Sequence, residues 1–415
     1  MKMRMMLVGS GAVGHCIVKQ LLNRDPNGEW FAYALLCDID LTHAQSIQND
    51  CKDERLECAV VDATNRAAMT ELMIKYGITF VLDAASPFCA NAIFDAAFAA
   101  KADYANMGTW SVPRKDPAYG VGIENSYDEI MTKYNFDRHE QWEKQGNTAL
   151  ICLGIDPGVV NVFARYLCEF EFDTVRELHV KDGGNLTVSN AGPDDITFGF
   201  NVWTVLDEVM NPNVEFRDGQ FIVERAFAGE ENFEMPQAGM NTLVKVEHEE
   251  TVTMPRYLSK YGLQNCTFKI ALDQNLIQAL KVLDKLHLNT IEPVNVKGVS
   301  VVPRDVVAAC APQPQDLKEM SGSMVVGVYA KGIKNGREKC VMMYQKFSQQ
   351  EAMERFGMQA VVAQTGFGAA IAVELYARGV YRKPGVYSLE AFDPIPYLQL
   401  MKETDFHYAV KEYEA

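Results

Sequence analysis

The sequence predicts an α/β fold that begins with a doubly wound parallel sheet and continues into an α+β region. Over roughly the first quarter of the 415 residues, apolar runs alternate with helical patterns, which is typical of parallel strands joined by helices. From about 175 to 350, polar and apolar residues alternate as they do in antiparallel strands, and helical patterns return after 350.

Composition and charge limit the classes of function. The chain is 48% hydrophobic and 23% charged, as in ordinary globular proteins, and its net charge is −16. This charge disfavours nucleic-acid binding and adsorption to anionic membranes. Apolar runs look too short for a membrane span, and the ten cysteines are scattered without a C-x-x-C pair. We therefore expect a cytoplasmic protein with free thiols, and no nucleic-acid or membrane partner.

A glycine motif near the start of the chain predicts a cofactor site. Gly9, Gly11 and Gly14 have the spacing G-x-G-x-x-G between an apolar strand and a helical pattern at residues 15–23, and we expect cofactor contacts from residues 9, 11 and 14 and from Ala12 and Val13. In dinucleotide-binding proteins the first glycine makes a tight turn, the second admits the pyrophosphate and the third lets the helix pack on the strand. Free N–H groups at the helix start attract phosphate. A tight turn without a ligand is the alternative.

An acidic residue closes the second apolar run, residues 30–38. Asp38 follows Gly14 by 24 residues, a position where a carboxylate accepts hydrogen bonds from the adenosine ribose and repels a 2′-phosphate. No lysine or arginine follows directly, since the next residue is Ile39. We therefore expect NAD(H) to be favoured over NADP(H), with Asp38 and Ile39 at the adenosine. A turn-capping role for Asp38 is the alternative.

Three further strands complete the first part of the predicted parallel sheet, at residues 56–62, 78–84 and 103–108. Ligands of doubly wound sheets lie at the carboxyl ends of the strands, beside the point where the strand order reverses. We therefore predict cofactor contacts at these ends, from Asp62, Ala63, Ala85, Ser86 and Pro87.

A second site-like turn comes later in the chain. An irregular segment at 109–127 and a predicted helix at 127–146 lead to a strand at 148–153. The strand ends in a turn that contains Asp156, Pro157 and Gly158, and a helix follows. Asp156 is a candidate acid/base or amine-binding group, although it is equally suited to cap the helix. Gly158 is predicted to contact the cofactor.

The region from about 160 to 350 is predicted as an antiparallel sheet with helices on one face. Its strands lie at 175–180, 216–224, 242–247, 266–272, 323–331 and 339–345, with turns at Asp218-Gly219 and Asn335-Gly336. Helical patterns cover 274–287, 304–320, 349–364, 369–379 and 394–403, with a glycine-containing break at 365–368. Glycine, proline and aspartate at 182–195 indicate a long loop.

Several blocks of sequence resemble one family and run in family order over nearly the whole chain. They are residues 9–14, 154–166, 248–250, 365–366, 384–387 and 392–394. These blocks resemble the saccharopine dehydrogenase-like oxidoreductases, most closely the branch that contains carboxynorspermidine and carboxyspermidine dehydrogenases.

The resemblance implies a Rossmann NAD(P)-binding domain made of residues 1–155 and about 350–415. An inserted α+β domain, about 156–350, binds substrate and forms a homodimer. The family transfers hydride between NAD(P)H and a C=N bond, which forms when an amine condenses with an aldehyde or keto acid. The products are secondary amines of the saccharopine or carboxynorspermidine type.

One segment departs from that branch, which has an F-N-P-E-I-N-like segment after a D-H-G loop. Here the corresponding residues are 182–186 and 200–205, and the Pro, the Glu and the His are absent. If that Glu holds the substrate amine in the branch, this chain holds its amine differently. The resemblance therefore does not fix the polyamine substrate.

Three residues are candidates for catalysis: Asp156, Lys101 and His248. The resemblance suggests a catalytic role for Lys101, although a solvated lysine at a helix end is the alternative. His248 with Glu249 and Glu250 could form a proton relay or an amine site, or could be an exposed polar loop. The H-E-x-x-H spacing of a metal site is absent, and we expect no metal.

Substrate contacts are predicted where polar or aromatic residues fall in the site-like segments. Turn geometry, helix capping and core packing are the alternatives. The predicted contacts are Asn161, Asp182, Asn185, Phe200, Asn201 and Glu249.

These observations leave three functions open. The first, which we favour, is an NAD(P)-dependent dehydrogenase that forms or cleaves a secondary amine from a small amine and a carbonyl compound, with a homospermidine-synthase-like transferase as a variant. The second is a lysine-type amino-acid dehydrogenase without a second substrate. The third is a non-catalytic NAD-binding sensor, which would bind the cofactor without turnover.

Overall fold

The structure is a computed structural model and describes residues 2–188, 192, 195–199, 201–312 and 320–414. Its strands are, in chain order, β1 Met3–Val8, β2 Phe31–Asp38, β3 Leu56–Val60, β4 Phe80–Asp83, β5 Asp103–Asn106, β6 Val112–Pro113, β7 Tyr127–Glu129, β8 Thr148–Leu150, β9 Thr174–Gly184, β10 Thr187–Val188, β11 Asn213–Arg217, β12 Gln220–Glu224, β13 Glu230–Met235, β14 Gly239–Lys245, β15 Asn265–Ala271, β16 Val294–Val296, β17 Val299–Val301, β18 Met320–Ser321, β19 Ser323–Lys334, β20 Arg337–Ser348, β21 Gly385–Tyr387 and β22 Tyr408–Tyr413.

Many of the helices start at a side-chain cap, as Asp40, Asn65, Asp273, Ser348 and Asp393 show by accepting a backbone N–H of the first turn. The α-helices are, in chain order, α1 Ala12–Arg24, α2 Leu41–Cys51, α3 Arg66–Tyr76, α4 Ala90–Ala100, α5 Lys133–Phe136, α6 His139–Gln145, α7 Val159–Tyr166, α8 Val202–Met210, α9 Glu250–Leu258, α10 Gln274–Lys285, α11 Pro303–Cys310, α12 Gln349–Phe356, α13 Ala360–Ala377 and α14 Pro394–Glu403.

The first sheet has seven parallel strands in the order β21-β8-β5-β4-β1-β2-β3. The strand order reverses beside β1, so a cleft opens between the carboxyl ends of β1 and β4. Strand β21 comes from the C-terminal part of the chain, which therefore returns to this sheet. The parallel sheet and the separate mixed sheet confirm the predicted α/β fold class.

The second sheet follows the path β12-β11-β15-β9-β19-β20-β22, and β14 joins β15 with β13 at its side. All pairs are antiparallel except β9 with β15. Strand β9 alternates, so that Leu178, Val180 and Asp182 share one face and His179 and Lys181 the other. Because β22 joins this sheet, the C-terminal part of the chain contributes to both sheets. The predicted domain limits at 155 and 350 stay a prediction.

The predicted break at 365–368 is wrong, because α13 runs through it without interruption. Gly366 and Gly368 are packing residues: an added Cβ would lie 2.5 Å from Cys16 Sγ and 2.3 Å from Gly154 O, respectively. They let α13 lie close against α1 and the strand ends. The chain instead breaks at Gly357, which has a φ of 67° and ends α12.

Two other helix predictions differ from the structure. The segment predicted as one helix at 127–146 contains β7, α5 and α6, because β7 pairs with β6 and Thr132 adopts a φ of 69°. The helix predicted at 304–320 is α11, which ends at Cys310, and residues 313–319 lie outside the described part of the chain.

Helix α13 is long and apolar enough to cross a membrane, which corrects our estimate of the apolar runs. Its 18 residues are, however, 83% buried inside the protein, against α1 and the second sheet. It is therefore the core helix that joins the two parts of the fold.

Candidate active site

A cleft of about 1120 Å³ lies between the carboxyl ends of the parallel strands and the second sheet. The parallel sheet contributes the segments that follow β1, β4, β5 and β8. The second part of the fold contributes Asp182 on β9, one face of α8 and the segment Glu247-His248-Glu249 before α9. The cleft therefore brings together the glycine motif, the Asp-Pro-Gly turn and the H-E-E segment. It lies at the carboxyl ends of the parallel strands, where sheets of this kind bind their ligands.

The glycine motif has the geometry that a dinucleotide needs. Gly9 has a φ of 92°, and an added Cβ would lie 2.5 Å from Ala84 O. A Cβ on Gly14 would lie 2.6 Å from Gly9 O, whereas a Cβ on Gly11 would meet no atom within 4 Å. Gly9 and Gly14 thus make the turn, and Gly11 leaves open space at the start of α1, where N–H groups are free to bind phosphate. These residues fit a nicotinamide dinucleotide.

Asp38 links the end of β2 to the glycine motif. Its Oδ2 accepts the backbone N–H of Ser10 at 2.8 Å, its Oδ1 accepts the N–H of Asp40 at 3.0 Å, and His43 Nδ1 lies 3.3 Å away. Ile39 is 73% exposed beside it. The two residues therefore lie beside the motif, and their contact with the adenosine stays a prediction.

The predicted cofactor contacts divide into two groups by their position relative to the cleft. Gly11, Ala12, Val13, Ala85, Ser86 and Pro87 line the cleft. Gly9, Gly14, Asp38, Ile39, Asp62, Ala63 and Gly158 lie outside the described lining. Asp62 accepts hydrogen bonds from the backbone and hydroxyl of Thr64, and so caps the turn before α3.

Buried and half-buried carboxyl groups surround the other half of the cleft. Asp156, Asp182, Glu208, Glu247 and Glu249 all line it. Three of their enclosed oxygens, Asp156 Oδ2, Asp182 Oδ1 and Glu247 Oε1, have no hydrogen-bond partner in the described structure. Lys19 is the one lysine or arginine among the described lining residues. This half of the cleft therefore suits a cation much better than an anion.

Burial and mutual repulsion keep protons on several of these carboxyl groups. Burial, and then the charge of Asp182, raise the pKa of Asp156 well above its usual range. Burial raises the pKa of Asp182 to about 7, and those of Glu208 and Glu247 to about 8. Groups with such values exchange protons near neutral pH, as acid–base residues do.

His248 lies in the middle of this cluster. Its Nδ1 is 2.5 Å from Glu250 Oε2, and its ring stacks on Phe268 with centroids 3.7 Å apart and planes inclined by 3°. Burial alone would lower the pKa of His248, but the charges of Glu250 and Glu208 raise it well above 6.5. The site thus holds a cationic imidazole among acids. His248, Glu249 and Glu250 also offer ligand atoms within 4.8 Å of one another.

Other predicted site residues have structural contacts. Asn161 is buried: its Oδ1 accepts Gly158 N–H at 2.6 Å, and its amide donates to Glu390 Oε1 at 2.6 Å, so it holds the Asp-Pro-Gly turn. Glu249 Oε1 accepts the N–H and the hydroxyl of Thr109, at 2.6 and 3.1 Å, and so ties the second part of the fold to the end of β5.

The last predicted residues lie at the rim or away from the cleft. Asn201 lines the cleft and caps α8 by accepting the N–H of Thr204. Asn185 Oδ1 accepts Ser323 N–H at 2.8 Å. Lys101 ends α4 with a φ of 57° and is exposed outside the described lining. Phe200 lies outside the described residues.

Sequence reasoning missed several acidic residues of the cleft, among them Asp83, Glu208 and Glu247. Asp83 ends β4 as Asp38 ends β2, accepts the hydroxyl of Tyr104 at 2.8 Å and has a pKa raised by burial to about 7. Glu208 lies on the side of α8 that lines the cleft, and Glu247 directly precedes the H-E-E segment. An acid that closes an apolar strand is the signal that could have found Asp83 and Glu247, whereas Glu208 lies outside the apolar face of its helix and has no such signal.

The comparisons with known proteins agree with this architecture. Residues 5–150 match the model of the saccharopine dehydrogenase NADP binding domain, and residues 154–405 match the saccharopine dehydrogenase C-terminal domain. Carboxynorspermidine synthase of Vibrio alginolyticus is 25% identical over 421 residues, covering 99% of this chain and 98% of that protein. Carboxyaminopropylagmatine dehydrogenase of Synechocystis is 24% identical over 403 residues, covering 96% and 95%.

A solved structure shows the same fold over the whole chain. The apo form of saccharopine dehydrogenase (L-Glu forming) from Saccharomyces cerevisiae superposes with a TM-score of 0.71 at 13% identity, and covers 99% of this chain and 100% of its own. Together with the family models, which span both parts of the fold, this confirms the resemblance found in the sequence. The chain belongs to the saccharopine dehydrogenase family, and it is an oxidoreductase with an NAD(P)-binding domain.

Proposed function

We propose that the enzyme transfers hydride between NAD(P)H and the C=N bond that joins a primary amine to a carbonyl compound, so that it forms or cleaves a secondary amine of amino-acid or polyamine type. The observation that carries the proposal is the half of the cleft lined by carboxyl groups, in which enclosed oxygens of Asp156, Asp182 and Glu247 have no hydrogen-bond partner in the described structure. A cationic amine would satisfy these oxygens, whereas a substrate with only carboxylates would meet repulsion.

The carboxyl groups would hold and orient the amine. Asp156 and Asp182 both line the cleft, and the charge of Asp182 raises the pKa of Asp156, so the two carboxyl groups would act together on a cationic amine. Glu208 and Glu247 form a second acidic position on the α8 side of the cleft, suited to another cationic group of the same molecule. Phe88 and Trp203, whose rings are 6.0 Å apart, wall the cleft between the two parts of the fold.

His248 would exchange the proton that the reaction needs. The bound nicotinamide supplies or accepts the hydride, so the protein's task is to position the C=N carbon and to protonate or deprotonate the nitrogen. His248 lines the cleft beside the carboxyl groups that hold the amine. Its protonated form is the proton donor in the reductive direction.

The names of the relatives support an amine of the polyamine type. One relative is named for carboxynorspermidine and another for carboxyaminopropylagmatine, both over nearly the whole of this chain. At about a quarter identity, these names support the class of substrate, while the acidic second position supports an amine with two cationic groups.

We also propose that NAD(H) is favoured over NADP(H). Asp38 presents a carboxylate at the end of β2, where a 2′-phosphate would add a second negative charge. Asp38→Ser should therefore raise kcat/KM for NADPH at least tenfold while lowering it for NADH. A higher kcat/KM with NADPH than with NADH in the unmodified enzyme would refute the preference.

The proposed function is tested by following NADH oxidation over amine–carbonyl pairs. The amines are 1,3-diaminopropane, putrescine, lysine and glutamate, and the carbonyl partners are aspartate semialdehyde, 2-oxoglutarate and pyruvate. We expect turnover that requires both partners, and a loss of at least 100-fold in kcat/KM in Asp156→Asn but not in the exposed control Asp116→Asn. Turnover with ammonia alone would indicate an amino-acid dehydrogenase, and cofactor binding without any turnover would indicate a sensor.

A further inference from the structure

We propose that Glu250 is a positioning residue that fixes His248 in its cationic form, with Nε2 as the nitrogen that gives the proton to the substrate. The inference rests on the proposed function, since it assigns the group behind the proton donor of that reaction. Glu250 is the first residue of α9, is fully buried and is absent from the described lining of the cleft. It therefore acts through His248 and does not contact the substrate.

The geometry holds the imidazole on three sides. Glu250 Oε2 accepts a hydrogen bond from Nδ1–H of His248 at 2.5 Å, and the ring of Phe268 stacks on one face of the imidazole. The hydroxyl of Thr251 donates to the backbone oxygen of His248 at 2.8 Å, which fixes the main chain. With Nδ1–H donated to a carboxylate, Nε2 is the ring nitrogen left for exchange, and no described residue bonds it.

Several acids surround His248, and the one in direct hydrogen-bond contact has the largest influence on its charge. The ionisable groups that face His248 are Glu249 and Glu250 beside it, Glu208 from α8, Asp182 from β9 and Asp156 from the turn after β8. Glu249 Oε2 lies 3.9 Å from Nδ1, and its other oxygen is bonded to Thr109. Glu250 is thus the one carboxylate of this group in direct hydrogen-bond contact with the ring.

The proton balance is simple. In the reductive direction, the Nε2–H bond breaks and a new N–H bond forms at the substrate nitrogen, while the carbon receives hydride from the reduced nicotinamide. The imidazole becomes neutral and regains a proton from solvent after product release. Glu250 accepts the Nδ1–H of His248, stabilises the cation and sets the ring orientation without transferring the proton itself.

Two substitutions separate charge from geometry. Glu250→Gln keeps the size of the side chain and an oxygen that accepts Nδ1–H of His248, but it removes the charge. Glu250→Asp keeps the charge, but its side chain is one methylene shorter, so the carboxylate lies farther from the imidazole. The matched control is Glu374→Gln, which also removes a fully buried glutamate, paired with Arg24 and Arg378 far from the cleft. It reports the effect of losing a buried acid on stability alone.

The first measurement is the titration of His248 by NMR of enzyme labelled at histidine ¹³Cε1, with the resonance assigned by its loss in His248→Gln. We expect His248 to stay protonated through pH 8 in the unmodified enzyme and its midpoint to fall by at least one pH unit in Glu250→Gln. Glu374→Gln should leave the midpoint unchanged. An unchanged midpoint in Glu250→Gln would overturn the inference, whatever the substrate.

The second measurement is the pH profile of kcat with the amine–carbonyl pair that turns over. Glu250→Gln should lower kcat at least tenfold and move the alkaline limb to lower pH, with KM for NADH within about twofold, and Glu250→Asp should recover part of kcat. If the alkaline limb of kcat lies at the same pH in Glu250→Gln and in the unmodified enzyme, the positioning role of Glu250 is wrong. If no pair turns over, the proposed function fails, while the titration still decides whether Glu250 fixes the charge of His248.

Discussion

Replacing Glu247 by glutamine should stabilise the folded protein at neutral and alkaline pH. Glu247 is buried, and its Oε2 accepts hydrogen bonds from Ser111 at 3.1 Å and Asn211 at 2.8 Å. Its Oε1 has no partner in the described structure. Glutamine can keep an oxygen acceptor for Ser111 and Asn211, and its uncharged amide removes the need to bury a negative charge.

The size of the effect follows from the pKa of Glu247, which burial raises from 4.5 to about 8. Below pH 4.5 both the folded and the unfolded forms hold the proton, and the group has no influence on stability. Between 4.5 and 8 only the unfolded chain has lost the proton, so each pH unit destabilises the fold by about 1.4 kcal/mol. The loss reaches about 5 kcal/mol above pH 8, and about 3 kcal/mol is already present at pH 7.

The assay is thermal unfolding of Glu247→Gln and unmodified enzyme at pH 5, 6, 7 and 8, without ligand, followed by calorimetry. The difference in Tm should grow with pH and reach several degrees at pH 8. The exposed glutamate Glu140, replaced by Gln, serves as control and should show no such trend. Curves for Glu247→Gln and unmodified enzyme that stay parallel from pH 5 to 8 would refute the reasoning.

Two further predictions concern the glycine motif and the contact between the two parts of the fold. Gly9→Ala should lower Tm by more than about 5 °C, because the φ of Gly9 is 92° and the new Cβ would lie 2.5 Å from a backbone oxygen. Gly11→Ala should leave Tm unchanged, because its Cβ would enter open space. It should, however, weaken NADH binding at least tenfold, as measured by fluorescence titration. Glu249→Ala should destabilise the fold by about 1–3 kcal/mol in calorimetry, because the N–H of Thr109 loses its acceptor, and Glu249→Gln should lose less.

Local sequence rules predicted the first sheet well because its signals are short in range. The alternation of apolar runs with helical patterns fixes parallel strands, and the steric demands of Gly9 and Gly14 are visible in their spacing. The same rules failed at Gly366 and Gly368, where a helix contains glycine because it lies against Cys16 and the Gly154 backbone. A contact between residues so distant in sequence has no local signal.

The site was predicted only where a strand end marked it. The Asp-Pro-Gly turn and the H-E-E segment stand beside strands, and both line the cleft. Glu208 lies within a helix, and Glu247 was predicted as the end of a strand, so the sequence does not show that either of them lines the cleft. Which acids converge is decided by how the second sheet docks on the first, and that arrangement arises from long-range packing.

If the acidic half of the cleft holds a cationic amine, the affinity for the amine must rise with pH. Asp182, whose pKa is about 7, carries its proton at pH 6 and has lost it at pH 8, so a cation meets its full charge only at the higher pH. The fraction of ionised Asp182 rises about tenfold between these values, and Kd for 1,3-diaminopropane should fall by about the same factor, since the diamine keeps its charge there. Calorimetric titration of enzyme with NAD bound measures this, with 1-propanol and matched NaCl as controls. In Asp182→Asn the trend should largely disappear; if it persists unchanged, the amine binds elsewhere and the acids of the cleft serve another purpose.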